Sequence, residues 1–69
     1  MTSRDVEAIV GDLIIHLGLP FTVLSIVKSP AGWNIQLRAG LGGLMRFSVR
    51  DGRPSIVRAA IQNQLDAQQ

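Results

Sequence analysis

Apolar residues at Val6, Ile9, Val10, Leu13 and Leu17 recur at three- and four-residue steps, the repeat that places side chains along one stripe of a helix. Thr2 or Ser3 can cap this helix, Asp5 and Glu7 suit the positive end of its dipole, and Gly18 followed by Pro20 stops it. The pattern therefore predicts a first helix over residues 3 to 17. Phe21 to Lys28 is dense in β-branched and aromatic residues and reads as a strand, but both of its faces, Phe21/Val23/Val27 and Leu24/Ile26, are apolar. Periodicity leaves it unoriented, and two covered faces suit a central strand or one at a subunit contact.

Beyond the Ser29-Pro30-Ala31-Gly32 turn the alternation becomes clean. Trp33, Ile35, Leu37 and Ala39 point one way, and Asn34, Gln36 and Arg38 the other. After the Gly40-Leu41-Gly42-Gly43 connection the same pattern returns. Met45, Phe47 and Val49 face inward, and Arg46, Ser48 and Arg50 face outward, until Asp51-Gly52 ends the strand. Pro54 opens a second helix, with Ile56, Val57, Ala60, Ile61 and Leu65 on its buried half, Arg58 and Asn63 on its solvent side and a glutamine-rich end expected to fray.

The expected fold is α+β, a single compact domain over residues 1–69 in the order helix, three-stranded antiparallel sheet, helix (αβββα). Both apolar helix stripes need one surface to cover, which puts both helices on the same sheet face and leaves the other face bare.

Charge turns that bare face into a candidate site. Five of the 7 basic residues, Arg38, Arg46, Arg50, Arg53 and Arg58, fall between positions 38 and 58 against one acid, Asp51. Guanidinium groups offer forked donors matched to carboxylate or phosphate, and Asn34 and Gln36 add hydrogen-bonding capacity. The candidate anion or nucleic-acid surface therefore comprises Asn34, Gln36, Arg38, Arg46, Arg50, Arg53 and Arg58. A second candidate surface lies on the back of the first helix, where Ala8, Gly11 and Ile15 cluster opposite the core stripe and permit close approach of another subunit.

Composition narrows the function classes. The chain has no cysteine and one histidine, which cannot assemble a zinc site. The carboxylates Asp5, Glu7, Asp12, Asp51 and Asp66 form no recognisable catalytic pair, and His16, flanking the apolar stripe of helix one, reads as a partly buried structural residue. We expect no enzyme, no cofactor and no metal. The N-terminus has no signal-peptide pattern, and apolar runs such as Leu13 to Ile15 fall far short of the ~20 residues that span a bilayer. The expectation is a soluble cytoplasmic protein without membrane contact. A core this small rarely supplies more than about 3–5 kcal/mol, so with 46% hydrophobic residues and no disulfide or metal, a homodimer is the expected support.

The order of elements, over most of the chain, resembles that of double-stranded RNA-binding domains and of small toxins of the HicA type, a dsRBD-like topology. Gly52 to Ala60 lies where the RNA-binding family places a lysine-rich helix start. Arg53, Arg58 and the paired alanines 59 and 60 match that pattern, and the lysine run is missing. The toxins carry their catalytic histidine on a strand, whereas His16 is in the first helix. The spacing G-x-x-G in Gly40 to Gly43 resembles the backbone-clamping loop of KH domains, which joins two helices rather than two strands. Topology does not carry function. Two functions are therefore expected: an interaction or regulatory module, homodimeric and binding a protein partner, or a nucleic-acid binder (RNA or DNA) using the arginine face.

Overall fold

A computed structural model describes residues 1–67. It has the expected order: α1 (Ser3–Leu17), β1 (Phe21–Ser29), β2 (Gly32–Ala39), β3 (Leu44–Arg50) and α2 (Pro54–Ala67). The three strands form one antiparallel sheet in the order β1-β2-β3. Both helices pack on one face, where Val6, Val10 and Leu13 of α1 and Val57, Ile61 and Leu65 of α2 meet Trp33, Ile35, Leu37 and Val49 of the sheet in a single buried cluster.

Local chemistry fixes the ends of α1. Thr2 is its cap: the Asp5 amide donates to Thr2 Oγ1 at 3.3 Å and the Thr2 amide to Asp5 Oδ2 at 2.8 Å, a reciprocal box that satisfies two otherwise orphaned donors. Gly18 closes the helix with φ 64°, and the amides of Gly18 and Leu19 donate to the carbonyls of Ile15 and Ile14.

The apolar ambiguity of β1 is resolved by a bulge. Val23 pairs with Leu37 and Ser25 with Gln36, so Leu24 is an extra residue and the inward phase switches across it. Phe21 and Val23 point inward before the bulge and Ile26 after it, each packed against the core, while Leu24 and Val27 are 42% and 56% exposed. β1 is thus an edge strand, which excludes the central position, the first of the two that its apolar faces suited.

Three further expectations are corrected. Ile56 is 60% exposed, because at 100° per residue it falls outside the narrow stripe set by Val57, Ile61 and Leu65. His16 is exposed rather than partly buried, since it lies beyond the stripe of Val6, Val10 and Leu13. Arg58 is half-buried, its guanidinium donating to Asp12 of α1 at 2.5 Å and tying the two helices together. The connection at 40–43 is a hydrogen-bonded turn, with the Ala39 amide donating to the Gly43 carbonyl at 2.7 Å and the Gly42 amide to the Ala39 carbonyl at 2.9 Å. The glutamine-rich end remains helical to Ala67, and Gln68 and Gln69, included in the expectation of fraying, lie outside the described residues.

Candidate functional site

The open face of the sheet is built outward from β2. Asn34 is flanked by Val27 of β1 and Ser48 of β3, Gln36 by Ser25 and Arg46, and Arg38 by Thr22 and Leu44, while Arg50 lies opposite Gly32. Alternation around a two-residue period then gives all of these side chains the same direction. Arg38, Arg46 and Arg50 are all exposed, with no helix of the described chain over them. As diagonal neighbours Arg38 and Arg46 are about 7–8 Å apart, and Arg50 is four residues further along β3, about 13 Å at ~3.3 Å per residue. Between the strands runs a shallow depression lined by Ser25, Val27, Asn34, Gln36, Arg46 and Ser48. Ser48 Oγ donates to Asn34 Oδ1 at 2.6 Å, which leaves the Asn34 amide NH₂ free to donate outward.

The expected seven-residue surface divides. Asn34, Gln36, Arg38, Arg46 and Arg50 share the open face, Arg53 lies exposed in the connection to α2, and Arg58 belongs to the helix layer with its charge met by Asp12. On α1, Ala8 and Ile15 are exposed and Gly11 is half-buried, with room for a Cβ that would meet nothing within 4 Å.

Asp51, the one acid in the basic stretch, faces away from the arginines. It pairs with Lys28, accepts from Trp33 Nε1 at 3.1 Å and from its neighbour's amide, that of Gly52, at 2.9 Å. Lys28 Nζ also lies 4.8 Å from the centroid of the Trp33 ring, within cation–π range. This cluster fastens one end of the sheet and consumes the acid that could have neutralised the arginines. Among the described residues no carboxylate bridges to Arg38, Arg46, Arg50 or Arg53. The sequence marks Asp51 as the end of the strand and as the one acid among the five arginines, and the signal for its pairing is the inward phase it shares with Trp33.

The Lys28 ammonium first, then Trp33 and the Gly52 amide, hold the Asp51 carboxyl down to about 2, against an ordinary 3.8. A carboxyl whose pKa is lower in the folded state stabilises the fold above its unfolded pKa and loses that contribution as pH falls through the folded one. Stability is therefore expected to decline between pH 3.8 and about 2, followed by the emission of Trp33, the chain's 1 tryptophan. Asp5, held low by the Thr2 backbone amide, and Asp12, held low by Arg58, shift the same way. Asp51→Asn should therefore flatten the acid profile without abolishing it, and an unchanged profile would remove Asp51 from the account.

The three aromatic side chains, Phe21, Trp33 and Phe47, all belong to the helix-covered side. No three His, Cys, Asp or Glu residues lie together among the described residues in a way that could hold a metal ion. No helix among them is long and apolar enough to cross a membrane. Comparison with protein-family models, with curated proteins and with solved structures finds no match to this chain.

Proposed function

We propose that this chain is a non-enzymatic interaction module that binds a carboxylate-bearing protein surface through the open face of its sheet, and that it works as a homodimer in the cytoplasm. The observation that carries the reading is the placement of Arg38, Arg46 and Arg50 on one exposed face with no carboxylate paired to them, beside the hydrogen-bonding groups of Asn34, Gln36 and Ser48. Guanidinium forks bind carboxylates in bidentate fashion, so a partner's acids gain both charge and direction there. The same forks fit phosphate. Binders of single-stranded nucleic acid, however, stack bases on aromatic side chains, and the aromatics of this chain are on the other side of the sheet.

The test is co-purification from the native host, with and without nuclease, using the parent chain and an Arg46→Ala/Arg50→Ala variant. A protein that survives nuclease and is lost from the variant is expected. Binding that vanishes with nuclease and falls steeply with salt would replace this reading with the nucleic-acid one. Equal capture by parent and variant would remove the face altogether.

The dimer is assigned to α1 rather than to the sheet, because joining two open faces would gather the guanidiniums of both copies without an acid between them. Ile15 is 82% exposed, and the open space beside Gly11 lets a second helix approach closely. Sedimentation at micromolar concentration should give a dimer for the parent and a monomer for Ile15→Arg. A monomeric parent would refute the assignment.

A further inference from the structure

The two edges of the sheet differ in what they permit. β1 is bulged at Leu24 and lies between Pro20 and Pro30, features that spoil an edge as a template for another strand. β3 runs seven residues in unbroken register with β2, and among the described residues no hydrogen bond reaches its outer edge. Along that edge the side chains alternate in chemistry. Arg46 and Arg50 are exposed on the open face, while Met45 and Phe47 are only half-buried on the helix face, where the core stops short of covering them.

We infer that the edge of β3 accepts an extended segment of the partner as a fourth strand, with acidic side chains opposite Arg46 and Arg50 and apolar side chains over Met45 and Phe47. This rests on the protein-binding reading above and specifies its partner. Ladder hydrogen bonds from the free edge supply affinity without regard to sequence, and the alternating side chains supply choice. Opposite charges directly across a strand pair stabilise it and like charges oppose it. Two copies of β3 laid edge to edge would put four guanidiniums on one two-stranded strip with no acid, so the edge rejects its own kind while accepting an acidic strand. Repulsion of the wrong partner and attraction of the right one come from the same two residues.

The experiment is an amide-resolved NMR titration of the full chain with two short peptides of equal composition. In one, glutamate and valine alternate. In the other, the glutamates are grouped at one end. The alternating peptide should shift the amides of β3, slow their exchange with solvent and bind about five- to tenfold more tightly, the gain of two well-placed charge pairs. Arg46→Glu/Arg50→Glu, whose changes are confined to exposed positions and whose fold is checked by Trp33 emission, should lose that peptide and gain one alternating lysine with valine. Equal affinity for both peptides, with β3 amide exchange unchanged, would overturn strand addition while leaving an acid-binding face in place. Failure of both peptides, with a single-stranded oligonucleotide binding in an Arg46- and Arg50-dependent way, would overturn the protein-binding reading as well.

Discussion

Replacing Gly32 with alanine is expected to abolish the cooperative fold. A Cβ at this position would lie 2.1 Å from the Val49 carbonyl oxygen, 2.8 Å from the Arg50 Cα and 2.9 Å from the Asp51 amide nitrogen. All three are backbone atoms of β3 and its end, so no rotamer change relieves the clash. The strands would have to part where Gly32 faces Arg50. Gly32 also has φ 149°, a conformation that side chains rarely adopt. Overpacking costs about 1–3 kcal/mol and a strained backbone about 1–3 kcal/mol more, against the roughly 3–5 kcal/mol that a domain of this size holds. The far-UV circular dichroism melt of Gly32→Ala should therefore be broad and low or absent. Gly52→Ala is the matched control, because its Cβ meets nothing within 4 Å and its φ lies outside the range that disfavours side chains, so it should change stability by no more than about 0.5 kcal/mol. A Gly32→Ala protein that melts like the parent would show that β2 and β3 are not held in this register.

The turn containing Gly32 was legible in the sequence, as was the positive dihedral its glycine supplies, yet the second reason for that glycine was not. Ser29-Pro30-Ala31-Gly32 announces a reversal through residues whose dihedral preferences are local. That β3 passes within van der Waals range of the fourth residue is a property of the sheet, and nothing within the turn encodes it. The same division runs through the whole chain. The ends of α1, the alternation of β2 and β3 and the helix opening at Pro54 are all set by neighbours within one turn or one pleat, and each appears where its pattern places it. β1 resisted because an added residue inverts a period-two pattern. With Leu24 set aside, Phe21, Val23 and Ile26 fall on one face, and the apparent second apolar face reduces to exposed Leu24 and Val27.

The candidate site divides along similar lines. Arg38, Arg46 and Arg50 could be assigned to one face from alternation alone, since a strand offers only two directions and the opposite one was filled by Trp33, Ile35, Leu37, Phe47 and Val49. Which acids would reach those arginines could not be read, because ion pairs join residues far apart in sequence. Asp51 is adjacent to Arg50 along the chain but crosses to Lys28, and Arg58, counted with the basic surface, turns to Asp12 at a separation of 46 residues. Together these pairings remove one arginine from the surface and one acid from its vicinity. The open face keeps three exposed guanidiniums, to which no carboxylate bridges among the described residues.

Ile61 and Ile56 offer a pair of identical residues on one helix with opposite expected fates. Ile61 is fully buried among α1, α2 and the sheet, whereas Ile56 is exposed. Ile61→Ala removes buried methyl groups and leaves a cavity, a loss of about 2–5 kcal/mol, comparable to the whole stability of so small a domain. The urea midpoint should then fall far below the parent's, with Trp33 emission moving to that of a solvated indole at low denaturant. Ile56→Ala, away from the core, should change stability by no more than about 0.5 kcal/mol. Urea titration of both variants beside the parent reads the difference directly, and the parent's slope fixes how much surface each transition exposes. Should Ile56→Ala cost as much as Ile61→Ala, α2 would be rotated about its axis from the orientation described, and the stripe of Val57, Ile61 and Leu65 would not be the one that covers the sheet. The melt should also be run at two protein concentrations. The proposed dimer through α1 should raise the parent's melting temperature with concentration, and Ile15→Arg should remove that rise while leaving the ranking of the two isoleucines unchanged.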